Sequence, residues 1–154
     1  MILNILLLLN LVGYAFVVCQ PFFYLLAMSN AQKNLQAPAY VELRNLLDSN
    51  LMVYNRIVYY SVLVSSAATV AAAAFQPQMV LLATSIAACI ALWIDLYLMF
   101  KGNLPINRVI QEWRPDKYPS NWQDYRTRWF MYYHRRQWAA IAGFVSLVMG
   151  VVFR

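Results

Sequence analysis

Residues 2–28 hold no charged side chain, and their amides are limited to Asn4, Asn10 and Gln20. A helix crosses the bilayer's hydrocarbon layer in about 20 predominantly apolar residues, so this run alone commits the chain to lipid. Three further segments follow. Residues 57–75 and 137–153 are also uncharged, and 79–100 carry Asp95 alone. The second and fourth segments are slightly short, but Arg56, Arg135, Arg136 and Arg154 at their ends can snorkel to the headgroups. The wider composition agrees: 62% of residues are hydrophobic and 12% charged, against about 45–50% and about 25% in soluble domains. An ordinary water-soluble globule is excluded, and so is disorder, because apolar surface is in excess. The first segment lacks the basic start and small-residue cleavage site of a signal peptide and is read as a retained helix. The fold expected is all-α: one integral membrane four-helix bundle over 1–154, with spans at about 2–28, 57–75, 79–100 and 137–153.

The net charge of +6 bears on topology before it bears on nucleic acid, for which no motif is present. Between the second and third spans lies only Gln76-Pro77-Gln78, a tight hairpin that requires antiparallel neighbours. The connection after the first span carries Lys33, Arg44 and Arg56. The connection 101–136 carries Lys101, Arg108, Arg114, Lys117, Arg126, Arg128, Arg135 and Arg136. With four crossings these two lie on one side, and the basic bias assigns them to the cytoplasm and both termini to the outside of a bacterial inner membrane.

The helices are expected to outrun the bilayer. Pro38 suits a first helical turn, and no proline or glycine interrupts the chain from there to Phe75; one helix of that length measures about 57 Å. Ser120-Asn121-Trp122-Gln123 reads as a capping box opening a helix to Phe153 of about 50 Å. The second and fourth helices therefore project together into the cytoplasm, and Asp124 and Arg128 stand four apart in the favourable acidic-first order. On the fourth helix Trp122, Arg126, Trp129, Tyr133 and Arg136 form one stripe; Arg44, Asp48, Asn55 and Tyr59 do the same on the second. Ile106, Val109, Ile110 and Trp113 make 105–114 an amphipathic segment that either lies on the membrane or covers the bundle end.

Asp95 is the one ionisable residue inside an apolar segment. A carboxylate there is costly unless paired or facing a polar cavity, so it is either functional or one half of a structural pair with Arg56, Arg135 or a hydroxyl such as Tyr59. His134, the sole histidine, stands where the fourth helix enters the headgroups. It is either a general base or a structural imidazole. One histidine cannot supply bis-histidine haem ligation, and no His/Glu cluster gives a metal-ligand set, so no cofactor is expected. Cys19 and Cys89 lie outside any CxxC motif and read as free thiols.

The run Asn103-Leu104-Pro105-Ile106-Asn107-Arg108, followed by Trp113, Trp122, Arg126, Arg128-Trp129, His134 and Arg136, resembles the anthrone-oxygenase-like family of small four-helix membrane proteins. The similarity covers residues 95–140 closely and the four-helix layout more loosely. It implies a cytoplasmic bundle end that binds a lipophilic phenolic or quinol-type aromatic, and cofactor-independent oxygenation of it. By that resemblance His134 is the base, Arg128 and Arg136 stabilise the developing negative charge, and Asn107 shapes the mouth. Asp95, Arg56, Tyr59 and Trp129 complete the expected pocket. The competing reading is a non-catalytic lipid or quinone binder, or an accessory subunit of a larger membrane complex or homo-oligomer. The charge asymmetry predicts that reporters fused within 101–136 report a cytoplasmic location and terminal fusions an external one; the reverse pattern contradicts the assignment.

Overall fold

The computed structural model describes residues 2–154 and consists of four long helices: α1 Ile2–Asn34, α2 Ala37–Ala74, α3 Met79–Gln111 and α4 Trp122–Val152. Two of them pass through a single π-helical turn, Tyr24–Met28 in α1 and Met99–Asn103 in α3. Around the bundle the order is sequential. α1 packs on α2 and α4, and α3 on α2 and, most extensively, on α4. Consecutive helices are antiparallel neighbours, as the short turns at Leu35–Gln36 and Phe75–Gln78 require.

Polarity is distributed inside out. Leu8, Val12, Phe16, Val64, Trp93, Ile94, Trp138, Val145 and Val152 are exposed, whereas Asn10, Ser66, Thr69, Ser85, Asp95 and Gln137 are buried. In lipid, apolar surface has nothing to gain by turning inward, and polar side chains serve as interhelical links. Asn10 is one such link: Ser66 Oγ donates to its Oδ1 at 2.9 Å and its Nδ2 donates to Thr69 Oγ1 at 3.5 Å. α1, α2 and α3 are each long and apolar enough to cross a membrane, which marks an integral membrane protein. α4 lies alongside them through Ala140, Gly143, Leu147 and Gly150.

Two apolar cores are stacked along the bundle axis. The first, between the spans, is built on Leu7, Tyr14, Val17, Val62, Leu81, Leu92 and Leu147. The second is aromatic and lies at the end bearing the 112–121 loop: Tyr24, Tyr40, Val41, Ile106, Ile110, Trp113, Trp129, Phe130 and Tyr133. α2 and α4 do run beyond the apolar segments as helices, and α1 and α3 accompany them. The stretch after the first span is therefore no open connection; it is helix to Asn34, then two residues, then helix again. Leu104–Gln111 continues α3 and turns Ile106 and Ile110 into the aromatic core, so it covers the bundle end instead of lying on the membrane.

Two local expectations fail. No side chain caps α4, because backbone carbonyls take its first amides: Trp122 N donates to Pro119 O at 3.1 Å and Asp124 N to Asn121 O at 3.0 Å. Asp124 and Arg128 are both exposed and form no ion pair, as befits a solvated pair with little to gain.

Gly143 lets α4 close on α1 and α3. A Cβ there would overlap Tyr14 Oη, which donates to Ala88 O at 2.9 Å, and crowd Ala91. Gly143→Ala is expected to break that bond and cost about 1–3 kcal/mol, read as a lower midpoint of SDS-induced unfolding. An unchanged midpoint contradicts the close packing.

Candidate functional site

The junction between the two cores is occupied by a buried ion pair. Asp95, on α3 just before its π turn, is 1% exposed. Its Oδ1 accepts from Arg136 Nε of α4 at 2.7 Å, and its Oδ2 from Tyr59 Oη of α2 at 2.5 Å. Arg136 uses its remaining nitrogens as well: Nη2 donates to Tyr59 Oη at 3.0 Å and Nη1 to Asn103 Oδ1 at 3.3 Å. Asn103 belongs to the π turn, and its Nδ2 donates to Trp129 O at 3.0 Å. Three helices are thus tied at one level by a fully engaged guanidinium and carboxylate, the arrangement that makes a buried charge tolerable. α1 is joined at the neighbouring turn. Pro21 has no N–H to give, and its carbonyl accepts from Gln137 Nε2 at 3.4 Å.

A second polar group is set into the aromatic core. Asn107 Oδ1 accepts from Arg44 Nη2 at 2.8 Å and from Trp129 Nε1 at 2.7 Å. Asp48 Oδ1 accepts from Arg44 Nη2 at 2.9 Å and from Asn107 Nδ2 at 3.3 Å. The Arg44 guanidinium lies 4.2 Å from the Trp129 ring centroid, and that ring is stacked on Tyr133 at 4.7 Å. Burial pushes the Asp48 carboxyl above its usual range against the pull of Arg44, and pushes Tyr40 up to about 12, so the phenol stays neutral. Arg44 Nε, Asp48 Oδ2 and the Tyr40 and Tyr133 hydroxyls are buried with no hydrogen-bond partner among the described residues.

A lateral groove of about 410 Å³ runs between α1 and α2 across the same junction. Phe16, Cys19, Phe23 and Tyr24 form its α1 wall; Tyr54, Asn55 and Tyr59 are on its α2 wall. Its volume is that of a small-molecule site and its surface is mainly apolar and aromatic. Tyr59 is shared: it lines the groove and is held by Asp95 and Arg136.

The expected site residues are divided among these features. Asp95, Arg136 and Tyr59 meet; Asn107 and Trp129 meet one layer further out, linked to the first group through Asn103. His134 stands apart, half-buried beside Phe130, with Nδ1 2.7 Å from Gln137 Oε1. Arg128 and Arg56 are exposed and enter neither ion pair. The partner of Asp95 is Arg136 in place of Arg56 or Arg135. Arg136 shares the inward stripe of Trp129 and Tyr133, whereas Arg135 is about 100° away on the outer face. Arg44, Asp48 and Asn103 were not expected as site residues, although the i,i+4 spacing of Arg44 and Asp48 carries the signal for one pair. The α1 wall gave none, since its residues read as ordinary lipid-facing apolar positions. Cys19 and Cys89 are free thiols. No family model, no curated protein and no solved structure matches the chain.

Removing one partner leaves a buried charge alone. Arg136→Leu is expected to cost about 3–5 kcal/mol in SDS unfolding, and Asp95→Leu/Arg136→Leu less than Arg136→Leu alone. A double variant as unstable as the sum of its singles contradicts the pairing.

Proposed function

We propose that the protein is a membrane-embedded binder of a lipophilic aromatic small molecule, phenolic or quinol-type, which enters the α1–α2 groove from the bilayer. The observation that carries this reading is the groove itself. It opens sideways, is walled by Phe16, Phe23, Tyr24, Tyr54 and Tyr59, and is backed through Tyr59 by the Asp95–Arg136 pair. Ring-on-ring packing suits a flat aromatic, and the buried network fixes the Tyr59 ring so that little ordering is left for binding to cost. Four crossings, with the aromatic core on the cytoplasmic side of a bacterial inner membrane, complete the proposal. They rest on the packing of α4 alongside α3 and on the basic bias of that end.

The resemblance to the anthrone-oxygenase-like family favours the same ligand class. The oxygenase step it implies needs a base at the ring. His134 is engaged with Gln137 and is not among the groove's lining residues, so the geometry supports binding over base catalysis.

Cys19 in the groove wall provides the test. In a Cys89→Ser background, an anthrone, 2-naphthol or a short-chain hydroquinone is expected to protect Cys19 from a lipophilic maleimide. Val58→Trp, which fills the groove, is expected to weaken protection at least about tenfold. Absence of protection by all three compounds overturns the reading. Oxygen uptake above the uncatalysed rate that disappears in His134→Ala would replace binding by catalysis.

A further inference from the structure

The extramembrane end of the bundle has two unlike edges. On the α1–α2 edge Leu25, Leu26, Leu46, Met52, Val53 and Tyr54 are exposed. The outer faces of α3 and α4 instead expose four cations: Lys101 and Arg108 seven apart on α3, and Arg128 and Arg135 seven apart on α4. A spacing of seven keeps the α4 pair on one helical face. The two helices meet at this level, because Gly102, next to Lys101, lies directly under the Tyr132 ring. Lys101 Nζ donates to Tyr97 Oη at 3.0 Å, and none of the four joins either ion pair among the described residues. Two acids stand four residues from one of them, Glu112 from Arg108 and Asp124 from Arg128, but neither forms an ion pair among the described residues.

Their depth gives this edge a partner. Arg135 adjoins Arg136, which sits at the level of Asp95. Counted from that level at 1.5 Å per residue, Lys101 is about 9 Å, Arg128 about 12 Å and Arg108 about 20 Å toward the loop end. Headgroups occupy a layer several ångströms thick outside the hydrocarbon, so Lys101 and Arg128 stand in or at it. Arg135 reaches it by snorkelling, and Arg108 lies within about a Debye length of it. We infer that the α3–α4 edge is a binding surface for the phosphate headgroups of anionic lipids in the adjoining leaflet. This assignment is independent of the groove's occupant.

The chain reconstituted in phosphatidylcholine bilayers, with spin-labelled phosphatidylglycerol or phosphatidylcholine as probe, measures headgroup preference at the protein boundary. Phosphatidylglycerol is expected to be favoured by about fivefold or more at low salt, the effect of even one basic residue at the surface. The preference should shrink toward unity at 1 M salt, where the Debye length is about 3 Å. It should vanish in K101Q/R108Q/R128Q/R135Q and persist in R114Q/K117Q, whose side chains lie in the distal loop. All four positions are exposed; should the quadruple variant fail to reconstitute, R108Q/R128Q is expected to lower the preference by at least half. Equal association of the two lipids overturns the inference, as does retention in the quadruple variant or an equal loss in R114Q/K117Q. Displacement of the labelled lipid by millimolar inorganic phosphate would overturn the lipid as the ligand, leaving a site for a soluble anion.

Discussion

The Asp95–Arg136 pair is the interaction on which the rest of the molecule depends. It is the level at which the apolar core between the spans ends and the aromatic core of the loop-bearing end begins, and both halves are anchored to it. A carboxylate in that position is costly alone. The sequence therefore surrounds it: Tyr59 from α2 takes one oxygen, Arg136 from α4 the other, and Asn103 from α3 fills the guanidinium's third side. Each partner comes from a different part of the chain, so satisfying one charge fixes the rotation of three helices. Hydrophobic burial cannot supply that specificity in lipid, because the exterior is as apolar as the interior.

Both π turns fall near this level, and they are part of how the requirement is met. The turn at Met99–Asn103 brings Asn103 inward, where it meets Arg136 and the Trp129 carbonyl, and Gly102 admits the Tyr132 ring beside it. The turn at Tyr24–Met28 follows Pro21 and leads into the groove wall. π turns inside α-helices are found mostly at functional positions, and here one belongs to the network and the other to the groove. The second network around Arg44, Asp48, Asn107 and Trp129 repeats the scheme one layer out. It leaves several buried polar atoms unpartnered, which makes that end of the bundle the less fully satisfied of the two.

The sequence makes the architecture legible because bilayer thickness is a hard constraint: the uncharged runs and the unbroken stretch from Pro38 appear as helices, and Gln76–Gln78 as part of the tight turn between two of them. The stripes on α2 and α4 were legible too, since 3.6-residue periodicity assigned Arg44, Tyr59, Trp129 and Arg136 to inward faces. The stripe that carries Arg136 was not connected to Asp95, for which Arg56, Arg135 or Tyr59 was expected; Tyr59 does meet it, and the cation is Arg136. Depth and the family resemblance grouped His134 with Asp95, but neither reports azimuth, and the imidazole faces Gln137 and Phe130. The groove was invisible because it is made jointly by two helices, α1 and α2, whose relative placement no single stripe encodes. Its walls, Phe16, Phe23 and Tyr54, are residues that any lipid-facing surface displays.

If the junction holds the two cores in register, the helices around the aromatic core depend on a charge located outside it. Hydrogen exchange of the protein in nanodiscs, comparing wild type with Asp95→Asn, measures this dependence directly. The account predicts that amides in 37–52 and 122–134 exchange faster together in the variant, while those around Asn10 and Leu81 keep their protection. Unchanged exchange in both of these segments, with loosening confined to the region around Asn10 and Leu81, would contradict it.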